Sequence, residues 1–135
     1  MKNPLIAFVL SFLSIITFSS CNDCIRGEGD PVVQVIDIPE FSAIHVSGST
    51  GIKLSQGNEQ RVEITAPANI IAILKRSVRN NTWEVDFEEC VRAKNIQINV
   101  IVPSISSIIV SGSGDVIGLN NLNVENLEIN VMGSG

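Results

Sequence analysis

The sequence predicts an all-β domain built as a β-helix or β-solenoid, with an ordinary β-sandwich as the alternative. Three observations carry this. From Pro31 onward, apolar and polar residues alternate at period two, the spacing of half-buried strands. Gly, Asn, Ser and Pro gather between these runs, as short connections require. The pattern apolar-x-apolar-x-Gly-Ser recurs in AIHVSGST (43–50), IIVSGSG (108–114) and INVMGSG (129–135). Gly112 and Gly133 are 21 residues apart, and Gly48 and Gly112 are 64 apart, close to three such intervals. A period of about 20 residues suits single-stranded coils that each bury an apolar face on the next. Gly at the corner permits positive φ, and Ser offers a side-chain bond to a freed backbone group. Asn120, Asn121, Asn123, Asn126 and Asn130 fit stacked turns whose amides form ladders. Short strands joined by Gly turns also build sandwiches, so spacing alone leaves both architectures open.

Residues 1–20 read as a signal peptide. Lys2 gives the positive start, and 5–18 is apolar except for Ser11, Ser14 and Thr17, too short and too early for a spanning helix. The segment ends TFSSC. Ser19 and Ser20 before Cys21 resemble the lipobox of bacterial lipoproteins, in which the cysteine becomes the N-terminus and carries lipid; Phe18 stands where Leu is usual. Ordinary secretory cleavage is the competing reading. Acylation at Cys21 implies a membrane anchor in the bacterial envelope, with the outer membrane expected. At ~0.8 kcal/mol per buried methylene, three acyl chains hold permanently where one does not.

Residues 21–30, CNDCIRGEGD, are Gly- and charge-rich without periodicity and read as a tether to a domain over 31–135. With Cys21 assigned to lipid, Cys24 and Cys90 remain. In an oxidising compartment a disulfide is expected, closing a loop of roughly 65 residues and contributing about 4 kcal/mol; two separate thiols are the alternative.

The strands follow in order. VVQVIDI (32–38) alternates loosely; FSAIHVSG (41–48) sets Ile44 and Val46 on one side, GIKLSQG (51–57) Ile52 and Leu54, and RVEIT (61–65) Val62 and Ile64. In PANIIAILKRSV (67–78), Ile70, Ile73 and Leu74 are spaced as on a helix, with Pro67 and Asn69 as starters, which predicts a short helical turn near 69–74. KRSVRNNTWEVDF (75–87) reads as a hairpin about Asn80-Asn81, with Val78 opposite Trp83 and Lys75 opposite Asp86. IQINVIVP (96–103), SIIV (107–110), VIGL (116–119) and NLEINV (126–131) complete the strands.

Charge and chemistry narrow the function. Without its signal the chain carries 8 basic and 14 acidic residues, a net charge of 8 − 14 = −6. No basic cluster occurs and aromatic residues are few, which argues against nucleic-acid binding. Gly112-Ser113-Gly114-Asp115 is followed by DVIGLNN, without the helix that a dinucleotide site needs, and lacks the repeated Gly-Gly-x-Gly-x-Asp of calcium-binding solenoids. WEVDFEE places Glu84, Asp86 and Glu88 on one strand face. The row could hold a hard cation, but a solvated face over a core Trp83 explains it as well. His45 lies between Ile44 and Val46 and points away from them, with no second histidine for a metal cluster. No pair of carboxylates signals a glycosidase. No catalytic, cofactor or metal site is assigned.

CIRGEGD, IPEFSAIHVSGSTGIKLSQG, VEITAPANI and VPSISSIIVSGSGDV together resemble the head GIN domain family of bacterial auto-transporter adhesins, secreted or lipid-anchored. The resemblance spans 24–135. Its most specific parts are Phe41-x-x-Ile44 before a Ser-Gly turn, Gln56-Gly57 after a strand, and Pro103 ahead of Ser111-Gly112-Ser113-Gly114-Asp115. It implies a right-handed β-helix-like fold, a cysteine pair such as Cys24 and Cys90, and a non-catalytic, adhesin-like head that contacts surface glycans or proteins and needs no cofactor. Relatives of this kind continue through further Ser-Gly-Ser-Gly-Asp coils, so the chain reads as C-terminally truncated at Gly135. The rival functions are a small polysaccharide-active enzyme and an envelope structural or assembly component.

Overall fold

The computed structural model describes residues 23–135; the expected signal peptide and Cys21 lie outside them. The strands begin with β1 (Ile25–Arg26), in the stretch without periodicity, and β2 (Val32–Ile36), and continue through the cleanly alternating β3 (Ala43–Val46), β4 (Ile52–Gln56) and β5 (Arg61–Ala66). Helix α1 (Ala68–Ala72) follows, then β6 (Val78–Arg79), β7 (Thr82–Val85), β8 (Val91–Arg92) and β9 (Gln97–Val102). β10 (Ser107–Val110), β11 (Val116–Gly118) and β12 (Glu128–Val131) complete the order. Two five-stranded sheets result, β12-β10-β3-β7-β6 and β11-β4-β9-β5-β2, beside a small β1-β8 pair.

The β-helix of single-stranded coils is overturned. Both large sheets are mixed: β2 pairs antiparallel with β5, β5 with β9, and β6 with β7. Strands divided between separate mixed sheets make a β-sandwich-like domain. The 64-residue interval misled because it is not three coils. β3 lies directly beside β10, with Ala43 opposite Ser107 and Val46 opposite Val110. One lateral step in the sheet therefore consumes 64 residues, which leave to build most of the second sheet, α1 and the β6-β7 hairpin. The 21-residue interval is also one step, Ser107 standing opposite Glu128 in the parallel β10-β12 pair.

Period-two patterning sends every second side chain into one core. Ile44 and Val46 of β3, Trp83 and Val85 of β7, Val62 and Ile64 of β5, and Ile98 and Val100 of β9 are all buried. Trp83 is completely enclosed, its ring 5.4 Å from that of Phe41, and its Nε1 donates to the Lys75 carbonyl at 2.9 Å. That bond satisfies a polar group that would otherwise be costly to bury. Asn80 (φ 49°) and Asn81 (φ 60°) make the hairpin turn, and Val78 stands opposite Trp83. In α1 the buried residues are Ile70 and Ile71; Ile73, placed with Ile70 on one helical face by its spacing, is the helix's C-terminal cap and only partly buried. Five residues are too few for a full second turn, so the i+3 position falls outside the helix.

Candidate binding surfaces

The strands run between two opposite ends of the domain. One end, the corner end, carries residues 47–51, 86–96 and 111–115. The other gathers residues 38–42, 57–60, 80–81 and 103–106. Each presents a different kind of surface.

At the corner end the N-terminal segment is fastened down. Cys24 and Cys90 are joined with their sulfurs 2.12 Å and their Cα atoms 4.6 Å apart. The Ile25 amide donates to the Cys90 carbonyl at 2.8 Å, and Ile25 and Arg26 lie parallel to Val91 and Arg92. Asn69 of α1 completes the attachment, its Nδ2 donating to the Arg26 carbonyl at 2.7 Å and its Oδ1 accepting from the Glu28 amide at 3.0 Å. Gly27 fits closely there, since a β-carbon on it would come within 2.8 Å of Pro67 Cγ. Part of the segment read as a loose tether is thus held to the domain surface. The signal lay in Asn69, which reads as a helix starter and serves instead as a bracket.

The outer face of the sheet containing β3 and β7 carries a polar row. Lys75 Nζ lies 2.9 Å from Asp86 Oδ2 and 3.4 Å from Glu84 Oε1. The Ser47 hydroxyl donates to Glu84 Oε1 at 3.3 Å, and His45 Nε2 is 2.7 Å from Ser111 Oγ. Hydrogen bonding to Asp86 raises the Lys75 ammonium above its ordinary value, against a smaller opposing effect of desolvation. At Asp86, desolvation pushes the carboxyl up. The Lys75 hydrogen bond, the Phe87 amide and the Lys75 charge together outweigh it and hold the carboxyl below the usual carboxylate value. Glu84 and Asp86, weighed as cation ligands, grip an internal ammonium instead. Glu88 borders the same recess as Lys75 and Glu84 but makes no ion pair with Lys75, and its amide is bonded to the Ile73 carbonyl at 2.9 Å. The arrangement is a hydrogen-bonded face in which one ammonium is shared by two carboxylates.

The opposite end holds a cleft of about 580 Å³ bordered by Glu40, Phe41, Asn58, Gln60, Asn81 and Ser104, among others. Gln60 shapes it: Nε2 donates to the carbonyls of Ile38 (2.9 Å) and Pro39 (3.1 Å), and Oε1 accepts from the Phe41 amide at 3.1 Å. The Asn81 carbonyl accepts from the amides of Ser42 and Ala43, both at 3.1 Å. Amides, hydroxyls and carboxylates therefore line a shallow, open, polar recess suited to hydroxyl-rich or polar ligands. Sequence reading did not single out Gln60; a glutamine in a turn carries no signal until the chain beside it is placed.

The sequence profile of the family described as "Putative auto-transporter adhesin, head GIN domain" matches residues 40–135. The chain belongs to the head GIN domain family. No curated protein matches it. Three solved structures share the head GIN domain's fold here. One is described as a putative adhesin from Bacteroides fragilis, with 24% identity, TM-score 0.71, and coverage of 81% of this chain and 53% of that one. A second, a putative adhesin from Parabacteroides merdae, has 21% identity, TM-score 0.72, and coverage of 81% and 47%. The third, described as a putative lipid binding protein from Parabacteroides distasonis, has 20% identity, TM-score 0.68, and coverage of 79% and 48%. This head GIN chain spans about half the length of the solved structures it matches.

Proposed function

We propose that this head GIN domain is the non-catalytic binding head of an exported protein, held in the bacterial cell envelope, at the outer membrane, by lipid on Cys21. Membership of the family described as "Putative auto-transporter adhesin, head GIN domain", through the profile over residues 40–135, carries the reading. The sequence around Cys21 supports the anchor. Two features of the surface support binding without catalysis. On the outer face Lys75 is shared by Glu84 and Asp86, and the end cleft offers hydrogen-bonding groups to a polar glycan or peptide.

The test is binding by the full-length, membrane-extracted protein to arrays of glycans and extracellular-matrix proteins. Saturable binding that weakens in Asn58→Ala and Asn81→Ala, with no change in the ligand, is the expected outcome. Depolymerisation of a polysaccharide, abolished by Asp86→Ala or Glu88→Ala, would instead establish an enzyme. For the anchor, Cys21→Ala should release the protein from membranes; unchanged fractionation would defeat that part.

A further inference from the structure

We infer that the Cys24–Cys90 clamp seats the domain directly on the lipid surface by its corner end, so that the Gln60 cleft faces away from the membrane. The inference rests on the proposed acylation of Cys21. Cys24 is three residues beyond Cys21, a span of at most about 10 Å of extended chain. From Cys24 onward the chain has no slack: the disulfide, the β1-β8 pair and the Asn69 bracket fix residues 24–28 to the corner end. A lipid-bearing residue that close to a covalent fixing point leaves no stalk.

The strands then set the height of the other end. β9 spans six residues, roughly 20 Å at ~3.3 Å per residue, and runs from the corner end to the cleft end. Glu40, Asn58, Asn81 and Ser104 therefore stand on the far side from the anchor, open to a ligand that approaches from away from the membrane. Charge does not do this work. Arg26, Arg92 and Lys94 at the corner end are outnumbered by Asp23, Glu28, Asp86, Glu88, Glu89 and Asp115, so the surface has no basic excess to draw it to anionic lipid.

The experiment uses the full-length acylated protein in vesicles containing lipids with a spin-labelled headgroup. A fluorophore is attached through Lys94→Cys at the corner end or Asn58→Cys at the cleft end; with Cys21 acylated and Cys24–Cys90 bridged, the new cysteine is the one free thiol of the mature chain. The fluorophore at Lys94→Cys should be quenched several-fold more strongly than that at Asn58→Cys, at low and high salt alike. Adding Cys24→Ser and Cys90→Ser frees up to 10 residues between Cys21 and Val32, roughly 35 Å of chain, and should reduce the contrast. Equal quenching at the two positions in the intact protein overturns the seating, and a contrast unchanged without the disulfide overturns the part given to the clamp. Protein that fails to float with the vesicles at all overturns the anchor itself, and the seating with it.

Discussion

Gly133 stands beside Gly112, and Gly112 beside Gly48, so closely that a β-carbon on either of the first two would overlap the carbonyl oxygen of its neighbour. These corner glycines do not use positive φ; among the described residues Gly29 is the only glycine that does. What they provide is the absence of a side chain. Their carbonyls accept from the next row: Gly48 from the Ser113 amide at 3.2 Å, Gly112 from the Ser134 amide at 3.0 Å. Gly112→Ala should therefore destabilise the domain by about 1–3 kcal/mol, because backbone atoms of residues 47 and 48 must move. At Gly48 a β-carbon meets only Asp86 Oδ1 at 3.3 Å, and at Gly118 nothing within 4 Å. Urea unfolding should rank Gly112→Ala well below Gly48→Ala and Gly118→Ala; equal midpoints would refute the close-approach account.

Lys75 and Asp86 give the domain a pH window. The lowered carboxyl of Asp86 contributes stability that is present above its unfolded value, near pH 4, and lost as pH falls through the folded one. The raised ammonium of Lys75 contributes stability that is complete below its unfolded value, near pH 10.4, and lost as pH rises through the folded one. Lys75→Met should cost about 0.5–1 kcal/mol at neutral pH and less in high salt, since both partners are partly solvated. Its stability should also vary less between pH 2 and about 5 than that of the unmodified protein. An unchanged acid limb in thermal melts across that range would show that the pair does not set it.

The alternation that placed Ile44, Val46, Trp83 and Val85 inside was readable because period two is a local property of a strand. So was the Asn80-Asn81 turn, whose residue types tolerate positive φ. Sheet order was not readable. Nothing in the chain between Gly48 and Gly112 reveals that 64 residues return to the adjacent position, because a repeat interval gives chain length and not path. The cleft was hidden for a related reason: Gln60 and Asn81 are far apart in sequence and meet across Phe41 and Ser42 only once both sheets are in place. The outer polar row stood between. Lys75 opposite Asp86 followed from the hairpin, but Ser111 beneath His45 required the β3-β10 pairing.

The Cys24–Cys90 bridge closes a loop between residues 66 apart in sequence, and cross-links of that length contribute about 2–4 kcal/mol. Cys24→Ser with Cys90→Ser should lower the melting temperature by roughly 10 °C or more. Amide exchange should accelerate first at Ile25 and Val91, whose strands are only two residues long. Uniform acceleration across both large sheets, with Ile25 no faster than Ile98, would mean that the bridge supports the whole domain and not the N-terminal segment.

Gln56 holds the irregular stretch between β11 and β12. Its Nε2 donates to the carbonyls of Pro103 (2.8 Å) and Asn123 (3.3 Å), and its Oε1 accepts from the Asn123 amide at 2.6 Å. Its backbone is bonded twice to the Asn120 side chain, through N–H to Oδ1 and from Nδ2 to the carbonyl, both at 2.9 Å. Leu122, Val124 and Leu127 pack against the core from this stretch, so holding the loop holds a flank of the core closed. Gln56→Ala should cost about 1–2 kcal/mol, because the lost bonds are exposed and water replaces them in part. Gln56→Glu keeps an acceptor for Asn123 but loses the donor to Pro103 and Asn123, so it should fall no higher than the alanine variant near neutral pH. Hydrogen exchange at residues 120–127 is the deciding measurement. Faster exchange confined to that stretch is expected in both variants, and unaltered protection there would show that the loop is held without the Gln56 side chain, by the Asn120 bonds and its apolar residues.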